Sequence, residues 1–371
     1  MSDYGTKALV VTYPDEFAKA EIVELAKAGG YQVCEVVTHR DIGRSEYGMG
    51  SGKAQELERL VADSEADTII IDESLTSSQA NNLSRLAHAR VVDRERLILN
   101  IFAKRATTTE AKLQVQLAEL RYELPRARDA VRHSLRGEQA GFSGMGEYAV
   151  DVKFRALKRQ TMFIKSKLEK TKTVRKLHSS ERRKLGVPFV SLAGYTSSGK
   201  TTLFNRLAAE SKDASPKLFT TLSTTTRMVA FPNSKRRVLL SDTVGFVSRL
   251  PAYLVESFRS TLDELRYADL ILLMIDVSEP AENVEIKLRS CRETLSELEV
   301  DASKLLVVLN KVDLLDAGAR SKVELDSLFK GYGTVKVSAV RGDGMRQLRT
   351  RILERTDPRK LAQEPGFAAS G

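Results

Sequence analysis

A short segment in the middle of the chain has the residue types and spacing that bind phosphate. Residues 194–201 read Gly-Tyr-Thr-Ser-Ser-Gly-Lys-Thr and lie between an apolar strand pattern and a helical pattern. The glycines let backbone N–H groups approach phosphate oxygens, and the N-terminus of the following helix adds a partial positive charge. Lys200 is therefore predicted to reach the β- and γ-phosphates of a nucleotide, and Thr201 to ligate Mg²⁺.

Three further motifs follow in the order expected of a guanine-nucleotide site. Asp242-Thr-Val-Gly245 ends a predicted strand, where Asp242 can hold Mg²⁺ and Gly245 can donate its N–H to the γ-phosphate. Within Asn310-Lys-Val-Asp313, the carboxylate can accept from N1–H and the 2-amino group of guanine, which adenine cannot supply together. Ser338-Ala339 is predicted to place a backbone N–H on the 6-oxo group. An unpaired buried carboxylate is costly, so ATP is expected to be disfavoured by several kcal/mol.

A hydroxyl-rich segment between the first two motifs is predicted to be a mobile loop that closes onto Mg²⁺. It runs from Phe219 to Thr226, with Thr221 as the predicted ligand and Thr220 as the second choice. An inert threonine-rich linker is the alternative. Phe246 stands where many GTPases carry a water-orienting glutamine, and phenylalanine cannot hydrogen-bond water. We therefore predict slow hydrolysis by the isolated protein, with the missing group supplied by another loop or a partner.

The predicted site draws on all of these segments. Lys200, Gly245 and Thr221 are the predicted catalytic residues, and Thr201, Thr221 and Asp242 are the predicted magnesium ligands. Lys311 is expected to lie along the base plane, and Asn310 to brace its loop. The predicted nucleotide-binding residues are Gly194, Tyr195, Thr196, Ser197, Ser198, Gly199, Lys200, Thr201, Thr202, Phe219, Thr220, Thr221, Asp242, Thr243, Val244, Gly245, Asn310, Lys311, Asp313, Ser338 and Ala339.

The elements that must position these residues follow from hydrophobic periodicity. Strand and helix patterns alternate over about the first hundred residues and again after residue 186, which predicts parallel sheets with helices on their faces. We expect an α/β protein with an N-terminal parallel-sheet α/β subdomain (1–104), a long antiparallel helical hairpin (105–185) and a C-terminal Ras-like P-loop GTPase domain (186–356). Residues 357–371 are expected to form a flexible tail because they mix Pro, Gly, Ala and Ser.

The predicted hairpin combines a hydrophobic seam with strong positive charge. Apolar residues recur at heptad spacing from Leu113 to Val131, and Pro125 within that helix is expected to kink or break it. A glycine-rich loop at 141–146 separates it from a second helix. Residues 151–185 hold thirteen Lys and Arg against three acids, a net of 13 − 3 = +10, which equals the net charge of the whole chain. Such clustering indicates a polyanionic partner, and a merely solvated helix face is the alternative.

Other features exclude several classes of protein. No apolar run approaches the roughly 18 residues of a membrane-spanning helix, and no secretion signal is visible, so we expect a cytoplasmic protein. Cys34 lies in an apolar strand pattern and is expected to be a buried reduced thiol. The glycine-rich stretch 47–53 lacks the full phosphate-loop pattern. A flexible turn is expected there, with a weak phosphate or RNA-backbone site as the alternative.

The motifs together resemble the HflX family of ribosome-associated GTPases. The resemblance rests on the segment 242–246 followed by Leu250-Pro251, on Ile101–Leu120, and on Tyr47–Leu57, and it runs in order from about residue 7 to 355. An archaeal-type member is indicated. The resemblance implies GTP hydrolysis with Mg²⁺, and binding to the large ribosomal subunit with the hairpin near ribosomal RNA, possible roles being ribosome rescue or recycling. We expect the free chain to be monomeric.

Two other functions stay open on the sequence. One is an RNA-remodelling NTPase with ATPase activity in the N-terminal domain, which requires that discrimination against adenine fails. The other is a GTP-dependent protein scaffold, in which the hairpin binds a protein and Phe246 reflects lost catalysis.

Overall fold

A computed structural model describes residues 5–137, 152–171, 186–208, 219, 224–231, 236–315 and 328–357. The chain divides into two compact units, Met1–Lys167 and Leu168–Gly371. Within the described residues, no helix has the length and apolar character needed to cross a membrane.

The first unit is built on a four-stranded parallel sheet with the strand order β2-β1-β3-β4. Its strands are β1 (Thr6–Thr12), β2 (Tyr31–Thr38), β3 (Thr68–Ile71) and β4 (Arg90–Asp93). Its helices are α1 (Glu16–Ala28), α2 (Ser51–Ser64), α3 (Ser77–Ala87) and α4 (Arg94–Arg105). Every residue of β3 is buried, as expected of a central strand covered on both faces.

Local signals explain where these helices begin. Asp15 caps α1 by accepting from the N–H of Ala18 at 2.9 Å, and Thr76 and Gln79 form a capping box at the start of α3. Residues 51–53 of the glycine-rich stretch form the first turn of α2, and Lys53 pairs with Glu56 at 2.7 Å. Helix α4, which was not predicted, is capped by Asp93 through the Arg96 N–H at 2.8 Å.

The prediction that Cys34 is buried is wrong. Strand β2 lies at the edge of the sheet and alternates between half-buried and exposed positions, so that only Val37 is fully buried. Cys34 is exposed, and its thiol donates to the carbonyl of Ala8 at 3.2 Å.

Two further helices, α5 and α6, follow α4, as the sequence predicts. Helix α5 (Thr109–Gly137) continues through Pro125 and buries Leu117, Leu120 and Ala127 of the predicted seam. Helix α6 spans 152–171 and exposes its basic residues while it buries Ile164 and Leu168. The glycine loop at 141–146 and residues 172–185 lie outside the described residues.

The second unit contains a six-stranded sheet with the order β10-β9-β8-β5-β7-β6. Its strands are β5 (Phe189–Gly194), β6 (Thr225–Ala230), β7 (Arg237–Asp242), β8 (Leu270–Asp276), β9 (Leu305–Asn310) and β10 (Thr334–Lys336). Its helices are α7 (Lys200–Ala208), α8 (Ala252–Ser257), α9 (Arg259–Tyr267), α10 (Ala281–Glu297) and α11 (Met345–Arg355). All neighbours are parallel except β6, which is antiparallel to β7. The predicted α/β class is confirmed.

One predicted loop is partly a strand. Thr225 and Thr226, assigned to the mobile segment from the sequence, open β6 and pair with Asp242 and Ser241 of β7. The hydroxyl-rich composition favoured a loop, but threonine is β-branched and suits an edge strand with one side toward solvent.

Candidate nucleotide-binding site

Four strand ends meet at one edge of the second sheet. The neighbouring parallel strands β9, β8, β5 and β7 finish at Asn310, Asp276, Gly194 and Asp242. Ligands of open α/β sheets bind outside the carboxyl ends of the strands. The fold therefore brings the predicted phosphate loop, the Asp242 segment and the Asn310 segment to a common edge.

Two glycines are required by the path of the phosphate loop. Gly194 has φ +144° and Gly199 has φ +93°, a region that L side chains rarely adopt. A Cβ at Gly194 would collide with the carbonyl of Met274 on β8, and one at Gly199 would collide with the side-chain amide of Asn310. The loop therefore packs directly against β8 and β9, and its backbone can turn inward without a side chain in the way.

The side chains of the loop are unequally exposed. Ser197 adopts a left-handed conformation with φ +61° and points to solvent, whereas Thr196 and Ser198 are buried. Among the described residues, the Ser198 hydroxyl has no hydrogen-bond partner. A buried hydroxyl in that position is a polar group that a phosphate oxygen can satisfy.

Lys200 begins α7 and is only 7% exposed. Its ammonium donates to the carbonyls of Gly194 at 3.0 Å and Tyr195 at 2.7 Å. Burial lowers the pKa of Lys200 to about 8, against the opposing attraction of the Asp242 carboxylate. The lysine is thus held by two carbonyls of its own loop.

Thr201 and Asp242, both predicted magnesium ligands, lie together. The Thr201 hydroxyl donates to Asp242 Oδ2 at 2.9 Å, and Asp242 is 2% exposed. Hydroxyl and carboxylate oxygens are the donors that Mg²⁺ prefers. The described residues hold no group of three or more His, Cys, Asp or Glu suited to a metal, so phosphate oxygens and water must complete such a site. The pair fits a magnesium ion shared with a nucleotide.

The segment after Asp242 is hydrogen-bonded to the phosphate loop. The Phe246 N–H donates to Gly194 O at 3.0 Å, and the Thr196 N–H donates to Phe246 O at 2.8 Å. A Cβ at Gly245 would lie 2.9 Å from Thr196 Cγ2 and 3.1 Å from Lys200 Nζ. Gly245 therefore passes close to the lysine, and its predicted contact with a γ-phosphate stays a prediction. The Phe246 side chain is 1% exposed and belongs to the core.

Three residues of α10, which the motifs did not predict, lie against this contact: Lys287, Ser290 and Cys291. The Tyr195 hydroxyl accepts from the Ser248 N–H at 2.7 Å, and the Ser290 hydroxyl donates to Val247 O at 3.2 Å. The Lys287 ammonium lies 5.2 Å from the centroid of the Tyr195 ring. Cys291 is fully buried beside the loop, and burial raises the pKa of its thiol to about 12.

Asn310 acts as the predicted brace. Its Nδ2 donates to Ser198 O at 2.8 Å, and its Oδ1 accepts from the Ala339 N–H at 2.9 Å. The side chain thus joins the phosphate loop to the segment after β10. The Ala339 N–H, which the sequence assigned to the 6-oxo group of guanine, donates to Asn310 in this structure.

The two charged residues of the Asn310 motif have different anchors. Lys311 has φ +67° and forms an ion pair with Asp276, which also accepts from the Ser278 N–H at 3.0 Å. A hydrogen bond from Ser338 holds the pKa of Asp313 below its usual value. Asp276 was not predicted as a site residue. The sequence feature that could have identified it is an acidic residue at the end of a buried strand, next to β5 in the sheet.

The remaining predicted residues occupy less central positions. Thr202 is half-buried in α7, and Thr243 and Val244 are buried after β7. Phe219 is 2% exposed with φ +53°. Thr220 and Thr221 lie outside the described residues, so the roles given to them stay predictions.

Three family models match consecutive parts of the chain. They are described as GTP-binding GTPase N-terminal (residues 17–103), GTP-binding GTPase middle region (residues 105–182) and 50S ribosome-binding GTPase (residues 189–311).

Relatives and a solved structure cover more of the length. GTPase HflX of Thermococcus kodakarensis is 41% identical over 312 residues, which are 84% of this chain and 70% of that protein. GTPase HflX of Methanocaldococcus jannaschii is 38% identical over 350 residues, which are 93% and 85% of the two chains. The crystal structure of SsGBP with GDP is 28% identical, covers 94% of this chain and 98% of that one, and has a TM-score of 0.52.

Proposed function

The chain belongs to the HflX family of GTPases, and we propose that it hydrolyses GTP slowly by itself and faster on the large ribosomal subunit. The observation that carries the nucleotide chemistry is the meeting of Lys200, the Thr201–Asp242 pair and the Asn310 brace at one sheet edge. Ribosome docking is supported by the 50S ribosome-binding description of the matched domain and by the net +10 of residues 151–185.

The phosphates of GTP are proposed to lie in the loop from Gly194 to Thr201. There the N-terminus of α7 favours anions, and the Lys200 ammonium can turn from its carbonyl partners to phosphate oxygens. Thr201 and Asp242 would hold Mg²⁺, with Thr221 as a further proposed ligand. When bound, the ion neutralises charge on the β- and γ-phosphates.

The base is proposed to be read by Asp313. The hydrogen bond from Ser338 lowers the pKa of this carboxyl further, and a carboxylate can accept from N1–H and the 2-amino group of guanine together. Lys311, held by Asp276, would lie along the base plane. Adenine would leave the carboxylate without donors, which opposes ATP binding.

Slow turnover follows from the place of Phe246. Its ring is buried and its backbone is bonded to the phosphate loop, so it offers no hydrogen bond to an attacking water. We infer that the group that orients water comes from elsewhere in the chain or from the ribosome. Partner-stimulated hydrolysis suits a switch that is used once per docking event, as in ribosome rescue or recycling.

Turnover and docking are best measured together. Steady-state GTP hydrolysis by the full chain alone is expected below about 10⁻² s⁻¹, and purified large subunits are expected to raise it at least about tenfold. The protein should co-sediment with the subunits in the presence of a non-hydrolysable GTP analogue, and less in the presence of GDP.

The Lys200→Ala variant, checked for folding by circular dichroism, should lose the stimulated activity. Absence of both stimulation and co-sedimentation would refute the ribosomal role, and fast hydrolysis without subunits would refute the partner dependence.

A further inference from the structure

A side chain outside every predicted motif holds the loop that follows β10. Arg206 lies in the last turn of α7, and its Nε donates to Ala339 O at 2.5 Å. Its Nη2 donates to the next carbonyl, that of Val340. Both bonds come from a guanidinium, and charge-assisted bonds of this kind are stronger than neutral ones.

The loop is shaped to admit this guanidinium. Gly342 has φ +96°, and a Cβ there would lie 2.7 Å from Arg206 Nη1. The Gly342 N–H donates to Ser338 O at 2.7 Å, and the Ser338 N–H donates to Asp343 O at 3.1 Å. A glycine at 342 thus serves both the turn and the approach of the arginine.

The peptide groups of Ala339 are fixed from two sides. Asn310 accepts from its N–H, and Arg206 donates to its carbonyl. Two residues of this loop contact Asp313: Arg341 Nε lies 3.8 Å from Asp313 Oδ2, and the Ser338 hydroxyl donates to the same carboxylate while it accepts from the Arg341 N–H at 3.0 Å. Displacing this loop therefore displaces the group that orients the Asp313 carboxylate.

We propose that Arg206 is a positioning residue for guanine recognition, because it fixes the 338–340 loop that holds Asp313 in place. The inference rests on the proposed assignment of Asp313 and this loop to the base. Helix α7 then contributes to both halves of the site: Lys200, its first residue, binds phosphate, and Arg206, near its end, positions the 338–340 loop beside the purine.

The test compares nucleotide affinities of full-length variants. GDP and ADP dissociation constants are measured by competition with a fluorescent GDP analogue for wild type, Arg206→Ala and Arg206→Lys. Arg346→Ala, at an exposed position on α11 of the same unit, is the matched control. Arg206→Ala should weaken GDP binding roughly tenfold with ADP nearly unchanged, so that the preference for guanine falls. The GDP affinity of Arg206→Lys should lie between those of wild type and Arg206→Ala, since one ammonium cannot reproduce the two bonds of the guanidinium. The control variant should bind GDP like wild type.

Two results would overturn the proposal. One is an Arg206→Ala variant that melts like wild type and binds GDP equally well. The other is an equal loss of GDP and ADP affinity, which means a general structural role. The Asp313→Asn variant tests the assignment of Asp313 to the base, independently of Arg206. If that variant keeps wild-type GDP affinity, or if wild type prefers neither purine, the base assignment is wrong and the role of Arg206 falls with it.

Discussion

Lys200 is a cation kept almost completely out of water, between two carbonyls of its own loop. Burial disfavours its charged form and lowers its pKa to about 8, close to the pH at which GTPases work. A phosphate anion placed beside it favours the charged form again. Nucleotide binding and protonation of this lysine are therefore coupled.

The coupling predicts how GDP affinity depends on pH. Below about pH 7 the lysine is protonated in both states, and the affinity should be constant. Above pH 8 the unbound lysine loses its proton, so binding must take one up and affinity should fall by up to about tenfold per pH unit. Titration calorimetry in buffers of different ionisation enthalpy measures this uptake directly. In the Lys200→Arg variant the side chain stays charged, so its proton uptake should vanish; an unchanged pH slope in that variant would contradict the coupling.

The residues of the site differ in how far the sequence could identify them. Lys200, Asp242 and Asn310 each stand in a short contiguous motif that can be recognised in the sequence. The order of the strands brings the three motifs to one edge of the sheet. Arg206 and Asp276 stand in no motif, because their partners lie on other strands and loops. Finding them requires the order of the strands in the sheet, which periodicity does not encode.

At the scale of elements, one acidic side chain joins three parts of the first unit. Asp93 ends β4, caps α4, accepts from the Tyr122 hydroxyl of α5 at 3.0 Å and pairs with Arg126 at 2.5 Å. It also accepts from the Leu75 N–H at 3.2 Å. Asp93 is 3% exposed and Tyr122 is 8% exposed, whereas the Arg126 side chain is 19% exposed, so water has little access to the Tyr122 hydroxyl and more to the arginine.

Asp93→Ala should therefore destabilise the first unit by about 3 kcal/mol or more, because it leaves buried donors without an acceptor and removes the carboxylate that pairs with Arg126. Asp63→Ala, at an exposed position on α2, should change the free energy of unfolding by less than about 0.5 kcal/mol. Urea unfolding of the full chain, with hydrogen exchange to assign the transition to the first unit, measures both. Equal effects of the two substitutions would show that Asp93 is not a structural junction.

Element boundaries were predictable where a cap or glycine marks them, and less so elsewhere. The patterns of apolar residues predict a helix over Glu16–Ala28 and strands over Arg90–Asp93, Arg237–Asp242 and Leu270–Asp276, and these are the bounds of α1, β4, β7 and β8. Pro125 was expected to kink or break α5, and the helix continues through it. The first two residues of β6 were assigned to a loop because an edge strand pairs on one side only and leaves little hydrophobic signal.

At the scale of the whole molecule, charge is concentrated in a small part of the chain. Residues 151–185 carry a net +10, and the described part of this segment, α6, exposes seven basic side chains: Lys153, Arg155, Lys158, Arg159, Lys165, Lys167 and Lys170. Contacts of such groups with RNA phosphates release counterions, so the proposed docking on ribosomal RNA should weaken with salt.

Removing three of these charges tests that account. Replacing Lys158, Arg159 and Lys165 by glutamine should make the plot of log affinity for large subunits against log salt shallower by about two units. A variant with glutamine at Arg59, Arg85 and Arg90, exposed residues elsewhere in the first unit, loses the same net charge and should keep the wild-type slope. Equal slopes in the two variants would assign the salt dependence to overall charge, and the basic helix would no longer be the docking surface.

The two cysteines have a practical consequence. Cys34 is accessible on an edge strand of the first unit, whereas Cys291 is enclosed under the phosphate loop with its thiol held in the unreactive protonated form. A maleimide dye at neutral pH should therefore attach to the native sequence at a single position, far along the chain from the nucleotide residues. Single-molecule recordings of the proposed binding to ribosomes become feasible without engineering a reporter site.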